Sequence, residues 1–203
     1  MSRTPHDIVS ELGDRKIDVI FAHACDTSSG LLELADLATL CARTLVHLGE
    51  PLDSRKSGEA FRSIQGFYNR ISLVTGWSPD RKVTLLEWRA ALVKAMPGGV
   101  GDYKIYLEPV GKAIWAAADK DDDGFVRLDE FMAYHRSVKT SPANIEIAAK
   151  KLGLCGNDAR LPTERIMRAH QEFCTSTDPE APGNWFYGNI WAKEFWDGTR
   201  ARL

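Results

Sequence analysis

The chain has 203 residues, a formal net charge of −2 and 44% hydrophobic residues, enough apolar material for a sizeable core in one or two domains. Its Lys and Arg residues are scattered, which excludes a nucleic-acid footprint, and no run approaches the ~18 apolar residues of a membrane span. The opening MSRTPHDIVSELGDRK lacks the apolar stretch of a secretory signal, and Cys25, Cys41, Cys155 and Cys174 lack metal-type spacing, so reduced thiols in a cytoplasmic protein are expected.

Hydrophobic periodicity predicts helices over 8–24, 34–48, 61–74, 85–95, 107–118, 145–152 and 164–173, with a short one after Glu130. Pro97, Gly98 and Gly99 break the chain between an N-terminal half, 1–99, and a C-terminal half, 100–203. Each half holds two stretches that fit a twelve-residue loop between helices. In the ideal loop, oxygen ligands stand at positions one, three, five and twelve, a turn glycine at six and an apolar residue at eight.

Taken in chain order, the first stretch, 25–36, keeps Gly30 and Leu32 at six and eight. Cys25, Thr27, Ser29 and Asp36 fill the ligand positions, and a soft thiol with a shortened final acid predicts weak or no binding of a hard cation. The second, 76–87, keeps Asp80, Val83 and Glu87 but begins at Gly76 and has Arg81 at the turn. The third, 119–130, is complete: Asp119, Asp121 and Asp123 converge, Gly124 turns the chain, Phe125 offers its carbonyl, Val126 is apolar and Glu130 closes the shell. It carries six acids and two bases, a repulsion that a bound cation offsets, and all-oxygen ligands select Ca²⁺ with Mg²⁺ as competitor. Only Arg127, at the ninth position, departs from the pattern. The fourth, 154–165, keeps Leu161 at eight and Asp158 at five, but Leu154 and Arg165 occupy the first and last positions. The expected fold is therefore all-α: four EF-hand helix–loop–helix units in two lobes packed together, short β-bridges joining paired loops, and one working Ca²⁺ site.

The loop order, the lobe spacing and the tail from Asp178 to Gly188 resemble the sarcoplasmic calcium-binding protein group, especially its actinobacterial calerythrin-like branch. The resemblance implies two lobes packed as one globule and a cytosolic calcium-buffering or signalling role. Luciferin-binding proteins and calcium-regulated photoproteins share this broad architecture, with an organic ligand in the interior. Members of the group usually keep two or three working loops, and buffering gains from each. Retention of one loop argues against buffering and leaves a one-site calcium-binding protein whose ion is structural or sensory; the alternative reading is a scaffold that binds or converts an apolar small molecule between the lobes. Trp115, Tyr134, Trp185, Phe186 and Trp191 are the candidate wall residues. If it is an enzyme, a cofactor-independent cyclisation or isomerisation is the expected reaction, since no catalytic or cofactor motif accompanies the five histidines. The histidines themselves read as structural or surface groups. No protein partner is legible.

Overall fold

The computed structural model of the chain describes residues 5–25, 30–156 and 158–197. Its helices are α1 (Pro5–Ala24), α2 (Leu34–Leu48), α3 (Arg55–Thr75), α4 (Leu85–Ala95), α5 (Val100–Tyr106), α6 (Glu108–Ala118), α7 (Leu128–Ser137), α8 (Pro142–Leu152), α9 (Thr163–Thr175) and α10 (Lys193–Asp197). Local chemistry fixes many of the ends. Ser54 and Ser141 accept the amides of Ser57 and Asn144 at the starts of α3 and α8, which close on left-handed Gly76 and Gly153. Thr84 and Glu87 form a reciprocal cap on α4.

Two features go beyond the periodicity reading. The segment after Gly99 forms α5 and then breaks at Leu107, where Pro109 sits in the first turn of α6. A proline there lacks the amide that would continue the preceding helix, yet its fixed φ suits a new start. The C-terminal aromatic run is not one helix but a 3₁₀ turn (Pro182–Trp185) followed by α10.

The apolar eighth positions meet in pairs. Leu32 and Val83 exchange two backbone hydrogen bonds of 2.9 Å. In the second half β1 (Phe125–Arg127) runs antiparallel to β2 (Arg160–Pro162), with Val126 opposite Leu161. Each pairing sets two helix–loop–helix units side by side, and their apolar faces then need cover. The halves provide it for each other: α3 packs on α6 and α2 on α7. Phe21, Leu45, Leu48, Ile71, Trp88, Trp115 and Phe131 are all buried in one continuous core, each worth about 1.5–3 kcal/mol of transfer free energy. Arg43 of α2 stitches the seam, donating to the carbonyls of Ser137 at 2.6 Å and His23 at 3.1 Å.

The tail closes over this assembly. The Trp196 indole and Arg15 of α1 both donate to the Ile190 carbonyl, at 2.8 and 2.9 Å. Asn144 of α8 accepts the Asn189 amide at 3.0 Å, and Gly188, at φ +100°, lets the tail approach so closely that an added Cβ would lie 2.4 Å from Asn144 Cβ. Gly188→Ala is therefore expected to cost about 2–4 kcal/mol through strain and collision. A thermal unfolding midpoint lowered by ~5–15 °C is the measurable result, and an unchanged midpoint would show that the tail does not need this contact.

Candidate calcium loop and interior cavity

The loop between α6 and α7 gathers Asp119, Asp121 and Asp123, each offering an oxygen within 4.8 Å of the others. Asp119 ends α6 and is 8% exposed. Its two oxygens accept the amides of Asp123 at 3.1 Å and Gly124 at 2.9 Å, and Asp123 accepts the Phe125 amide at 2.8 Å. Gly124 supplies the turn with φ +81°, and Phe125 opens β1. Glu130 sits apart from this trio, at the third residue of α7, where it accepts the Arg127 amide at 2.9 Å. Burial raises its pKa against the opposing pull of the Arg127 and Lys120 amides.

Arg127, half exposed, turns toward the loop carboxylates. Its guanidinium bonds to Asp121 and lies 3.8 Å from Asp123, while Arg160 of β2 reaches Asp123 at 3.2 Å and lies over the Phe125 ring. Lys56 of α3 donates to the Asp119 carbonyl at 2.7 Å and pairs with Asp122 at 2.8 Å, where φ is +54°. The negative loop is thus balanced by three side chains, one of them from the other half. The donors are all oxygen and the turn is preformed, so the residues fit a calcium ion once Arg127 and Arg160 withdraw.

In the other loops the same positions serve packing and capping. The Cys25 thiol donates to the Leu31 carbonyl at 3.5 Å, and Asp36 caps α2 through the Glu33 amide at 2.8 Å. Thr27 and Ser29 lie outside the described residues. Glu87 is taken up by Thr84 and by Arg81, at 2.5 Å. Leu154 is buried and Arg165 stands near Gly153.

Between the halves lies an apolar cavity of about 120 Å³, bounded by α1, α2, α3, α4, α6, α7, α9 and the tail. Trp115 and Tyr134, on the helices flanking the loop, form part of its wall with ring centroids 4.6 Å apart. Phe186 is fully buried against both rings without bordering the cavity, Trp185 lies under Lys151, and Trp191 stacks on Arg15. A second cavity of about 190 Å³ adjoins the first and shares Ile20, Phe67, Trp88 and Leu107 with it.

The walls carry polar groups that the sequence did not single out. His23, His170 and Tyr187 face the first cavity. Tyr187 and Tyr134 share a hydrogen bond of 2.9 Å, and Tyr103 bonds His170 Nδ1 at 3.0 Å. Burial pushes the Tyr134 phenol up to about 12 and that of Tyr187 well above its ordinary value. It pulls His170 down to about 4 and holds the wholly buried His135 well below the usual imidazole range, aided by His23 and His170. Trp88 borders both cavities, and its buried indole N–H has no hydrogen-bond partner among the described residues. A buried donor left unpaired costs about 1–3 kcal/mol. No sequence spacing signals this cluster, because α1, α4, α5, α7, α9 and the tail each contribute one or two members.

No family model matches the chain. Among proteins of known sequence it is similar to clytin of Clytia gregaria, 26% identical over 130 residues (63% of this chain), and to obelin of Obelia geniculata, 37% identical over 81 residues (39% of this chain). These matches reach 64% of clytin's length and 40% of obelin's. Among solved structures, apoaequorin in complex with (S)-HM-daCTZ superposes with a TM-score of 0.71 at 16% identity, covering 88% of this chain and 91% of that one. A Streptomyces coelicolor calcium-binding protein gives 0.65 at 17%, covering 80% and 98%. The fold is that of the EF-hand photoproteins. Among the described residues no helix is long and apolar enough to cross a membrane.

Arg127→Ser removes the guanidinium charge and leaves an oxygen at the ninth position. It is expected to tighten calcium binding about tenfold, roughly 1.4 kcal/mol, in a calorimetric titration; equal affinities would show that the guanidinium leaves without cost. The buried histidines make a second expectation. In the unfolded chain both titrate near 6.5, so that state binds more protons just below this pH, and stability is lost as pH falls. The loss is about 1.4 kcal/mol per pH unit for each histidine. Urea unfolding at pH 7 and 5.5 reads it directly, and equal stabilities would mean the rings are hydrated.

Proposed function

We propose that this protein is a cytoplasmic EF-hand protein that binds one calcium ion at loop 119–130 and one apolar small molecule in the interior cavity. The observation that carries the reading is the position of the cavity wall. Trp115 is on the last turn of α6, which runs into the loop, and Tyr134 is on α7, which leaves it. The ion would be held by Asp119, Asp121, Asp123, the Phe125 carbonyl and Glu130, and would supply charge neutralisation and a fixed angle between the two helices. The unpartnered Trp88 indole, the hydroxyls of Tyr134 and Tyr187 and the mostly apolar lining suit a largely apolar molecule with a few acceptors. The loop order and the tail support placement in the sarcoplasmic calcium-binding, calerythrin-like group, with loops 25–36, 76–87 and 154–165 not holding calcium. The four cysteines are free thiols, in keeping with a reducing compartment. Clytin and apoaequorin share the architecture, and the latter was solved in complex with (S)-HM-daCTZ, which supports an interior site here.

Conversion as well as binding is the second reading. The Tyr134–Tyr187 hydroxyl pair and the neutral His170 at the wall are groups that donate and accept protons without a cofactor. A cyclisation or isomerisation is the reaction class they would serve.

Naphthalene-2-methanol is a neutral probe sized for the interior cavity together with the one that adjoins it. It is expected to bind one per chain in a calorimetric titration and to lose affinity at least tenfold in Val110→Trp, which fills the cavity from a half-buried position. Calcium should titrate at one ion per chain and fail to do so in Glu130→Gln. No binding of the probe would end the small-molecule reading, and no heat at millimolar calcium would end the ion reading.

A further inference from the structure

The second cavity holds a charge that forms no ion pair among the described residues. Lys16, in the middle of α1, is 4% exposed and borders this space with Ile17, Ile20, Phe67, Trp88 and Cys174. Its ammonium has three donors, and one is used, on the Ser176 carbonyl at 2.8 Å. The face of Phe173 lies 5.6 Å from Nζ. Among the described residues no carboxylate forms an ion pair with it. Asp14 and Asp18, on the same helix, are taken by Arg89, and Glu172 is engaged with the Gly183 amide. Burial pulls the lysine down to about 8, opposed by Cys174 and Glu172, so the cation still predominates at neutral pH. Fully buried lysines are rare unless paired, because an isolated charge in apolar surroundings is costly.

We infer that this cavity receives the acid end of the ligand, an apolar monocarboxylic acid whose carboxylate pairs with Lys16 Nζ and whose body lies along Phe67 and Trp88 into the adjoining cavity. The inference rests on the small-molecule reading above and adds the ligand's charge. The dimensions suit it: the space of about 190 Å³ exceeds the ~150 Å³ in which benzene is accommodated. Exposed Val93 and Gly99 stand at the rim and give a route from solvent.

The test compares naphthalene-2-carboxylate with naphthalene-2-methanol in calorimetric titrations of the full chain at pH 7. The carboxylate is expected to bind at least tenfold more tightly. Lys16→Gln, which keeps a donor and removes the charge, should abolish that preference while leaving the alcohol's affinity within about twofold; Lys16→Arg should retain the preference. Equal binding of the two probes to the wild type, or a preference that survives in Lys16→Gln, overturns the acid assignment and leaves the small-molecule reading standing. Binding of neither probe overturns both. If Lys16→Gln does not fold, judged by circular dichroism, the wild-type ratio and its retention in Lys16→Arg decide the question.

Discussion

Carboxylate repulsion in the loop between α6 and α7 is the constraint around which the C-terminal half is arranged. Six acids lie within twelve residues, and a helix must leave each end of that segment at a defined angle. The chain meets the requirement with amides turned toward Asp119 and Asp123, and with Arg127, Arg160 and Lys56. Lys56 belongs to α3, so the charge of one half is balanced partly by the other, and the loop is coupled to the seam on which α3 and α6 pack. The same loop spaces Trp115 and Tyr134. Electrostatics at the surface and the shape of the interior are therefore set by one segment.

The helical frame was largely legible because amphipathic periodicity and loop spacing are local signals. Predicted helices 34–48 and 85–95 coincide with α2 and α4, and the eighth positions pair as the frame requires. The reason for the acids surviving at position twelve was not legible. In three loops that residue is also the third of the following helix, where Asp36, Glu87 and Glu130 each accept an amide at the helix start. Capping thus preserves an acid whether or not an ion is held. The bend at Leu107 and the folding of the tail depend on tertiary packing, which periodicity does not report.

The interior was the least legible part, for a physical reason. His23, His135, His170, Tyr103, Tyr134 and Tyr187 lie on four helices and the tail, and no spacing in the chain brings them together. Desolvation changes their chemistry: the phenols of Tyr134 and Tyr187 stay protonated and the imidazoles of His135 and His170 neutral, so these groups can donate and accept hydrogen bonds without net charge. Lys16, one helix turn from Ile20, is the exception on the cavity lining and stands out against that neutral background.

The clasp between Arg15 and the Ile190 carbonyl joins residues 175 apart in the chain. At about 5–20 residues per second, a ribosome makes the second partner roughly 10–35 s after the first. Throughout that interval the inner face of α1 lacks its C-terminal cover, although α2 and α4 are already available to it. The nascent chain therefore passes through a stage in which part of its interior is still uncovered.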